Sequence, residues 1–447
     1  MEENRRDSGL LRAVGPWGLA ASIVNVVVGA GIFAVPAALA ATIGPYAPLA
    51  FLVCAIAVGS IAICFAEGGS RVATSGGAYG CIEVAFGPLA AYVAGTMLWF
   101  SDLLACGGVA AALAEVAASL LPPEWRVPAR VVVVIGVVGA IALINIGGVV
   151  RGARLVNAMT VVKLIPLAIF VVVGVGFIDN ANFVGNVQPT TENLGRALIL
   201  ALFTFTGMEV SLCASGEVKQ PARTIPRALA IAMLSVTLLY VTIQVVAQGI
   251  LGPALATSAV PLADAMARIN PALSLLLLAG AAISMFGYLT SDLLATPRML
   301  FAFARDGMLP RALGRVHPRT RAPHVAILSY AALAILLALT GSFAELAVLA
   351  TLAVTVPYAA GCAAAWRLAR RGVAQAGPPL NFRWLSVAMA IGIVSMVLLI
   401  ALASRAEILG LAAAIAVCVA LYFVLKSRGV GASVAIAPSA TNDQHRN

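Results

Sequence analysis

The chain is a succession of long apolar runs separated by short polar ones. Within the runs Leu, Val, Ile and Ala follow one another without alternation. That pattern predicts helices, not the strands of about 10 alternating residues that build a membrane barrel. The hydrocarbon core of a bilayer is about 30 Å thick and takes about 20 mainly apolar helical residues. By that measure we read twelve spans, over roughly 17–42, 46–66, 83–121, 129–148, 156–178, 194–216, 227–251, 272–301, 323–341, 343–366, 384–403 and 406–426. The third and eighth are long, which suggests tilted or extended helices. The stretch from Gly68 to Gly80 is Gly-rich and is read as a loop between spans. The reading is therefore an all-α membrane protein with one transmembrane domain over 1–427 and a polar tail over 428–447 that is expected to be disordered.

Composition supports this. Hydrophobic residues make up 62% of the 447 residues and charged ones 10%, where a soluble domain carries about a quarter. There is too little polar surface to cover a globule in water. The opening MEENRRDSGLLR is too polar and acidic for a secretory signal, so the first span is expected to stay in the mature chain.

Twelve spans place both termini on one side. Of the 28 basic residues, 22 fall in the termini and the even-numbered connections, and five in the odd-numbered ones. Basic residues accumulate on the cytoplasmic side, so both termini are expected there, in a plasma membrane of the bacterial inner type. The net charge of +10 then follows from this asymmetry. No motif or aromatic interleaving suggests a nucleic-acid partner.

The chemistry of a catalyst is missing from the sequence. The seven cysteines are scattered, with no C-x-x-C, and read as small buried hydrophobes. His317, His324 and His445 lie in a loop, at a helix start and in the tail. No phosphate-cradling G-x-x-x-x-G-K-[ST] occurs. No metal, cofactor, enzymatic activity or obligate partner subunit is expected; the expected partners are a small-molecule substrate and membrane lipid.

Two spans are interrupted. The first contains Val27-Val28-Gly29-Ala30-Gly31-Ile32-Phe33 and then Pro36. Paired glycines weaken a helix, and unwound backbone at membrane depth is tolerated only where it lines a cavity or is buried in protein. The half-helix after such a break presents free N–H groups that suit a carboxylate. A small-residue packing face would explain the same glycines. The sixth span carries Phe203-Thr204-Phe205-Thr206-Gly207-Met208-Glu209. Interrupted segments at corresponding positions of two halves point to a transporter site built on inverted repeats.

These residues resemble the amino acid–polyamine–organocation transporters, whose fold is that of the bacterial leucine transporter. Gly29-Ala30-Gly31-Ile32-Phe33 with Pro36 is similar to that family's G-S-G-I-F-x-x-P, with Ala30 for the usual serine. Gly207-Met208-Glu209, running on through Gly216-Glu217-Val218-Lys219-Gln220-Pro221 to Ala228, is similar to its G-F-E…G-E-V-K-N-P-x-R-x-I-P-x-A. Pro297 to Pro310 is similar to its S-R-x-x-x-A-x-A-R-D-G-x-L-P. The resemblance implies five plus five inverted repeats, about 15–178 and 192–367, with two extra helices at about 384–426. It implies a substrate α-carboxylate on the N–H groups of Ala30 and Gly31, beside Gly29, and an α-amine on carbonyls near Val27, Phe203 and Thr206. Thr204 and Gly207 belong to the same site, and Phe203 falls where relatives place an aromatic lid.

Four charged residues lie deep in spans, where charge is costly and functional by default. Lys163, in the fifth span, falls where the resemblance places a second sodium site. An ammonium there can stand in for the ion, exchange a proton, or simply brace the helices. Glu209 follows the sixth-span break, Asp102 and Cys106 lie one turn apart in the third span, and Asp292 is in the eighth. The carboxylates either bind an amine or a proton, or pair internally, for example Asp292 with Lys163. Glu115 is read as a solvated residue at the outer end of its span. The expected function is sodium-independent secondary transport of amino acids by alternating access, coupled to protons or to exchange. Neutral substrates are the first reading and cationic amino acids or polyamines the alternative.

Overall fold

The structure, a computed structural model, describes residues 15–72, 78–147, 163–183, 189–209, 218–305, 309–320, 322–375 and 378–427. Regular structure among them is helical throughout, with no strand. The tail over 428–447, and Gly216 and Glu217 of the second motif, lie outside the described residues.

The first span is two helices, α1 (Pro16–Val27) and α2 (Gly31–Ile43). α3 runs over Ala47–Arg71, so Gly68 to Arg71, read from the sequence as loop, are helical. The long third span is also two elements: α4 (Ala78–Phe86), a turn at Gly87 with φ of 90°, and α5 (Pro88–Ser119). Its length belongs to α5 itself, which runs for 32 residues from Pro88 at its first turn. There follow α6 (Pro123–Ile146), α7 (Leu164–Gly174) and α8 (Thr191–Phe203). α9 covers Pro221–Leu251 and a short α10 Pro261–Ala267. The eighth span is divided by Pro297 into α11 (Pro271–Ala295) and α12 (Pro297–Arg305). α13 (His324–Thr340), α14 (Phe343–Arg370), α15 (Leu385–Ala401) and α16 (Arg405–Ser427) complete the chain.

Seven helical stretches among the described residues are long and apolar enough to cross a membrane, and four shorter helices are apolar as well. The chain is a multi-pass helical membrane protein. Its helices sort into two groups by contact. α3 packs along α9 and α8, α1 along α9, and α2 along α8. α5 packs against α6, α11 and α13, and α13 against α6. α14 touches both groups through α5, α3 and α8. Leu, Ile and Val on the outer faces, such as Val132, Val172 and Val394, are exposed because lipid is their solvent.

A buried ion pair closes one end of α3. Arg71 and Glu67, one turn apart, are 3% and 0% exposed, and Arg71 Nε donates to Glu67 Oε1 at 2.8 Å. Their remaining capacity is filled by the segment after α14. Arg71 donates to Val373 O (3.0 Å) and Asn381 Oδ1 (2.7 Å), and the N–H groups of Asn381 and Phe382 donate to Glu67 (3.2 and 3.0 Å). A buried pair is tolerable only when its other polar atoms are satisfied in this way.

Candidate substrate site

The first break is a local failure of the helical ladder. Val28 N–H still reaches Val24 O at 2.8 Å, but Val28 turns to ψ of 74° and Gly29 N–H folds back to Val27 O. The carbonyls released from the ladder find side chains instead. Asn25 O accepts from Lys163 Nζ, Val27 O accepts from the Tyr240 hydroxyl at 2.8 Å, and Gly29 O accepts from Ser284 at 3.2 Å. α2 then starts at Gly31 with no side-chain cap. The N–H groups of Ala30, Gly31 and Ile32 have no backbone acceptor among the described residues, so the positive end of α2 stands open.

The second break faces the first. α8 ends at Phe203, and the chain descends through tight turns, with Thr206 N–H on Phe203 O at 3.2 Å, to Gly207 at φ of 105°. That left-handed conformation is costly for any residue with a Cβ. The breaks are in contact. A Cβ on Gly31 would lie 3.0 Å from Thr204 Cγ2, and one on Gly207 2.9 Å from Val26 Cγ1. Tyr240 of α9 sits between them, its one hydroxyl shared by Val27 O and, at 3.0 Å, Thr204 O. The hydroxyls of Thr204 and Thr206 donate to Ala201 O and Phe203 O, each at 2.7 Å.

A cavity of about 600 Å³ opens beyond this point. Phe33 and Ala37 of α2, Glu115 of α5, Met285 of α11 and Phe343 of α14 line it. None of the candidate residues does; Phe33, two positions past Gly31, is the nearest in sequence. Phe203 lies behind the wall, edge-on to Phe343 with ring centroids 5.7 Å apart. Glu115 at the rim pairs with Arg130 at 2.9 Å, both partly exposed, in keeping with its reading as a solvated residue.

The deep charges separate into three places. Lys163 is 2% exposed and rests on the first break. Glu209 is 3% exposed; its Oε2 accepts from Tyr358 of α14 (2.6 Å) and from Gly207 N–H (3.2 Å). Asp292 accepts from Tyr330 of α13 (2.7 Å) and from Thr296 (2.9 Å), with Cys106 beside it. Asp102 stands at 3.4 Å from the same Thr296 hydroxyl. Asp102, Cys106 and Asp292 therefore form one cluster across α5, α11 and α13. Asp292 is held by these hydroxyls, and no ion pair joins it to Lys163 among the described residues. Neutral donors available nearby removed the need for the ammonium. Sequence reasoning missed Tyr240, Tyr330, Tyr358 and Ser284. Each sits in an apolar run with no local motif, and only its partner across the fold marks it.

The amino acid permease family matches residues 14–437. The chain belongs to this family. It is 26% identical over 339 residues to the methylthioribose transporter of Bacillus subtilis, covering 71% of this chain and 72% of that one. It is 26% identical over 374 residues to the branched-chain amino acid permease BcaP of the same organism, with 77% and 78% covered. To the serine/threonine exchanger SteT, also of B. subtilis, it is 29% identical over 344 residues, with 74% and 78% covered. The permease is thus one of a family of small-molecule transporters.

Proposed function

We propose that this permease is a sodium-independent secondary transporter of neutral amino acids that binds its substrate between the two helix breaks and works by alternating access. The observation that carries the reading is the open N-terminal end of α2 at Ala30 and Gly31, set against the second break and braced by Tyr240. An α-carboxylate on those N–H groups would complete a helix start that has no other partner among the described residues. In this reading twelve spans form five plus five inverted repeats with two further helices. The grouping of α1, α2, α3, α8 and α9 against α5, α6, α11 and α13 supports it, because it pairs the first, second, sixth and seventh spans against the third, fourth, eighth and ninth. Both termini are then cytoplasmic, in an inner membrane, and the cavity above Phe33 opens outward.

Sodium independence is supported by Lys163 Nζ on Asn25 O, which gives the first break a cation borne by the protein. Neutral substrates are favoured because Asp292 and Glu209 already have hydroxyl donors. The substrates named for BcaP and SteT fit this class; the methylthioribose carrier widens the field to other small polar molecules. A melting screen of purified protein against amino acids, polyamines and methylthioribose identifies the ligand, since ligands stabilise the state they bind. Uptake into proteoliposomes should be equal in sodium, potassium and choline buffers and rise when unlabelled substrate is preloaded. Steep dependence on sodium would remove Lys163 from its assigned role.

A further inference from the structure

A second cavity, of about 500 Å³, lies at the far end of the molecule from Glu115, between the starts of α1 and α9. Its walls are Lys219, Gln220, Arg223, Thr224 and Arg227, with Pro16 opposite. The three cationic residues are exposed, and none is paired with a carboxylate among the described residues. Three unpaired cations around one concavity call for a multivalent anion.

The surroundings say what kind of anion. Trp17, next to Pro16, is 74% exposed; tryptophans standing free on a membrane protein sit at the level of the lipid headgroups. α9 continues the pocket as a stripe. Arg223, Arg227, Ala230, Leu234 and Leu238 recur at helical spacing on one exposed face. Leu234 and Leu238 are 73% and 71% exposed. Arg227 to Leu238 spans about 16 Å at 1.5 Å per residue, close to half of the roughly 30 Å hydrocarbon core. A charged pocket at headgroup depth thus runs straight into an apolar track one leaflet long. A soluble phosphate would use the first and ignore the second.

We propose that this pocket is a binding site for an anionic phospholipid, the headgroup phosphate held by Lys219, Arg223 and Arg227 and an acyl chain lying along Leu234 and Leu238. The lipid bridges α1 and α9, the two helices that carry the first break and its bracing tyrosine. The charge contribution falls with added salt, while the chain contribution does not.

Purified permease in neutral detergent is titrated with phosphatidylglycerol, phosphatidylcholine and glycerol 3-phosphate, and melting is followed. Phosphatidylglycerol is expected to raise the melting temperature by several degrees, and the other two to leave it unchanged. The triple variant Lys219→Gln/Arg223→Gln/Arg227→Gln should melt as wild type in phosphatidylcholine and lose the phosphatidylglycerol increment. Arg371→Gln/Arg383→Gln, which removes exposed charge elsewhere, should keep it. If the triple variant does not fold, Arg227→Gln alone should weaken the lipid midpoint several-fold. An equal increment from glycerol 3-phosphate overturns the lipid assignment in favour of a free anion. An increment untouched by the triple or single variant overturns the site, as does the lack of any increment in wild type.

Discussion

Gly31 is where one side chain decides whether two unwound segments can meet. Thr204 leaves no room for a Cβ without movement, its own Cα being 3.3 Å from where that atom would stand. Gly31→Leu should reach the membrane in normal amount and lose substrate binding by at least about 100-fold, the scale of a buried charged hydrogen-bond pair. Gly59→Leu, where nothing lies within 4 Å of an added Cβ, is the matched control and should transport normally. Tyr240→Phe removes the donor shared by Val27 O and Thr204 O. Leaving buried carbonyls under-satisfied costs about 1–3 kcal/mol, and a lowered melting temperature with reduced uptake should show it. Gly31 was legible in the sequence because a G-x-G inside an apolar span has few explanations. Tyr240 was not, because its role exists only once α9 crosses both breaks.

Helix boundaries show a similar division. The interruption at Val28 to Ala30 was readable from glycines and that at Thr204 to Gly207 from hydroxyls and a glycine, since each weakens the ladder where it occurs. The length of the third and eighth segments was readable too, and α5 is an extended helix of 32 residues; the turn at Gly87 and the break before Pro297 were not readable. The end of α3 was misread because glycines and an arginine look like loop until the charge is paired, here by Glu67 one turn earlier, and the pair is covered. The neutral groups that cover it sit beyond α14. Removing half of a satisfied buried ion pair costs about 3–5 kcal/mol, so Arg71→Ala and Glu67→Gln should each lower the melting temperature clearly. Their double variant with Met at both positions should recover part of the loss. Additive losses in the double variant would mean that the two residues act separately.

The whole molecule decides what its deep charges are for, because each has been met by a different part of the fold. Lys163 went to the first break, Glu209 to α14, and Asp292 to α13 with Asp102 beside it. The sequence placed all four at membrane depth but left their partners open, since those of Lys163, Glu209 and Asp102 lie more than a hundred residues away and leave no periodic trace, and Tyr330 reaches Asp292 only from another helix. If the carboxylates serve the protein alone, Asp102→Asn, Glu209→Gln and Asp292→Asn should affect every substrate alike and shift the pH dependence of uptake. Competition assays in which one of them selectively abolishes binding of arginine, lysine or putrescine would move the substrate class to cations.

The clamp on α3 also has a consequence in time. Asn381 lies 310 positions after Arg71, and ribosomes add about 5–20 residues per second. The charged end of α3 therefore waits roughly 15–60 s for the segment that covers it. Chains that stop short of residue 380 never receive that cover. In such copies the Arg71–Glu67 pair lacks the hydrogen bonds that Asn381 and Phe382 supply, so the end of α3 is set only after nearly the whole chain has been made.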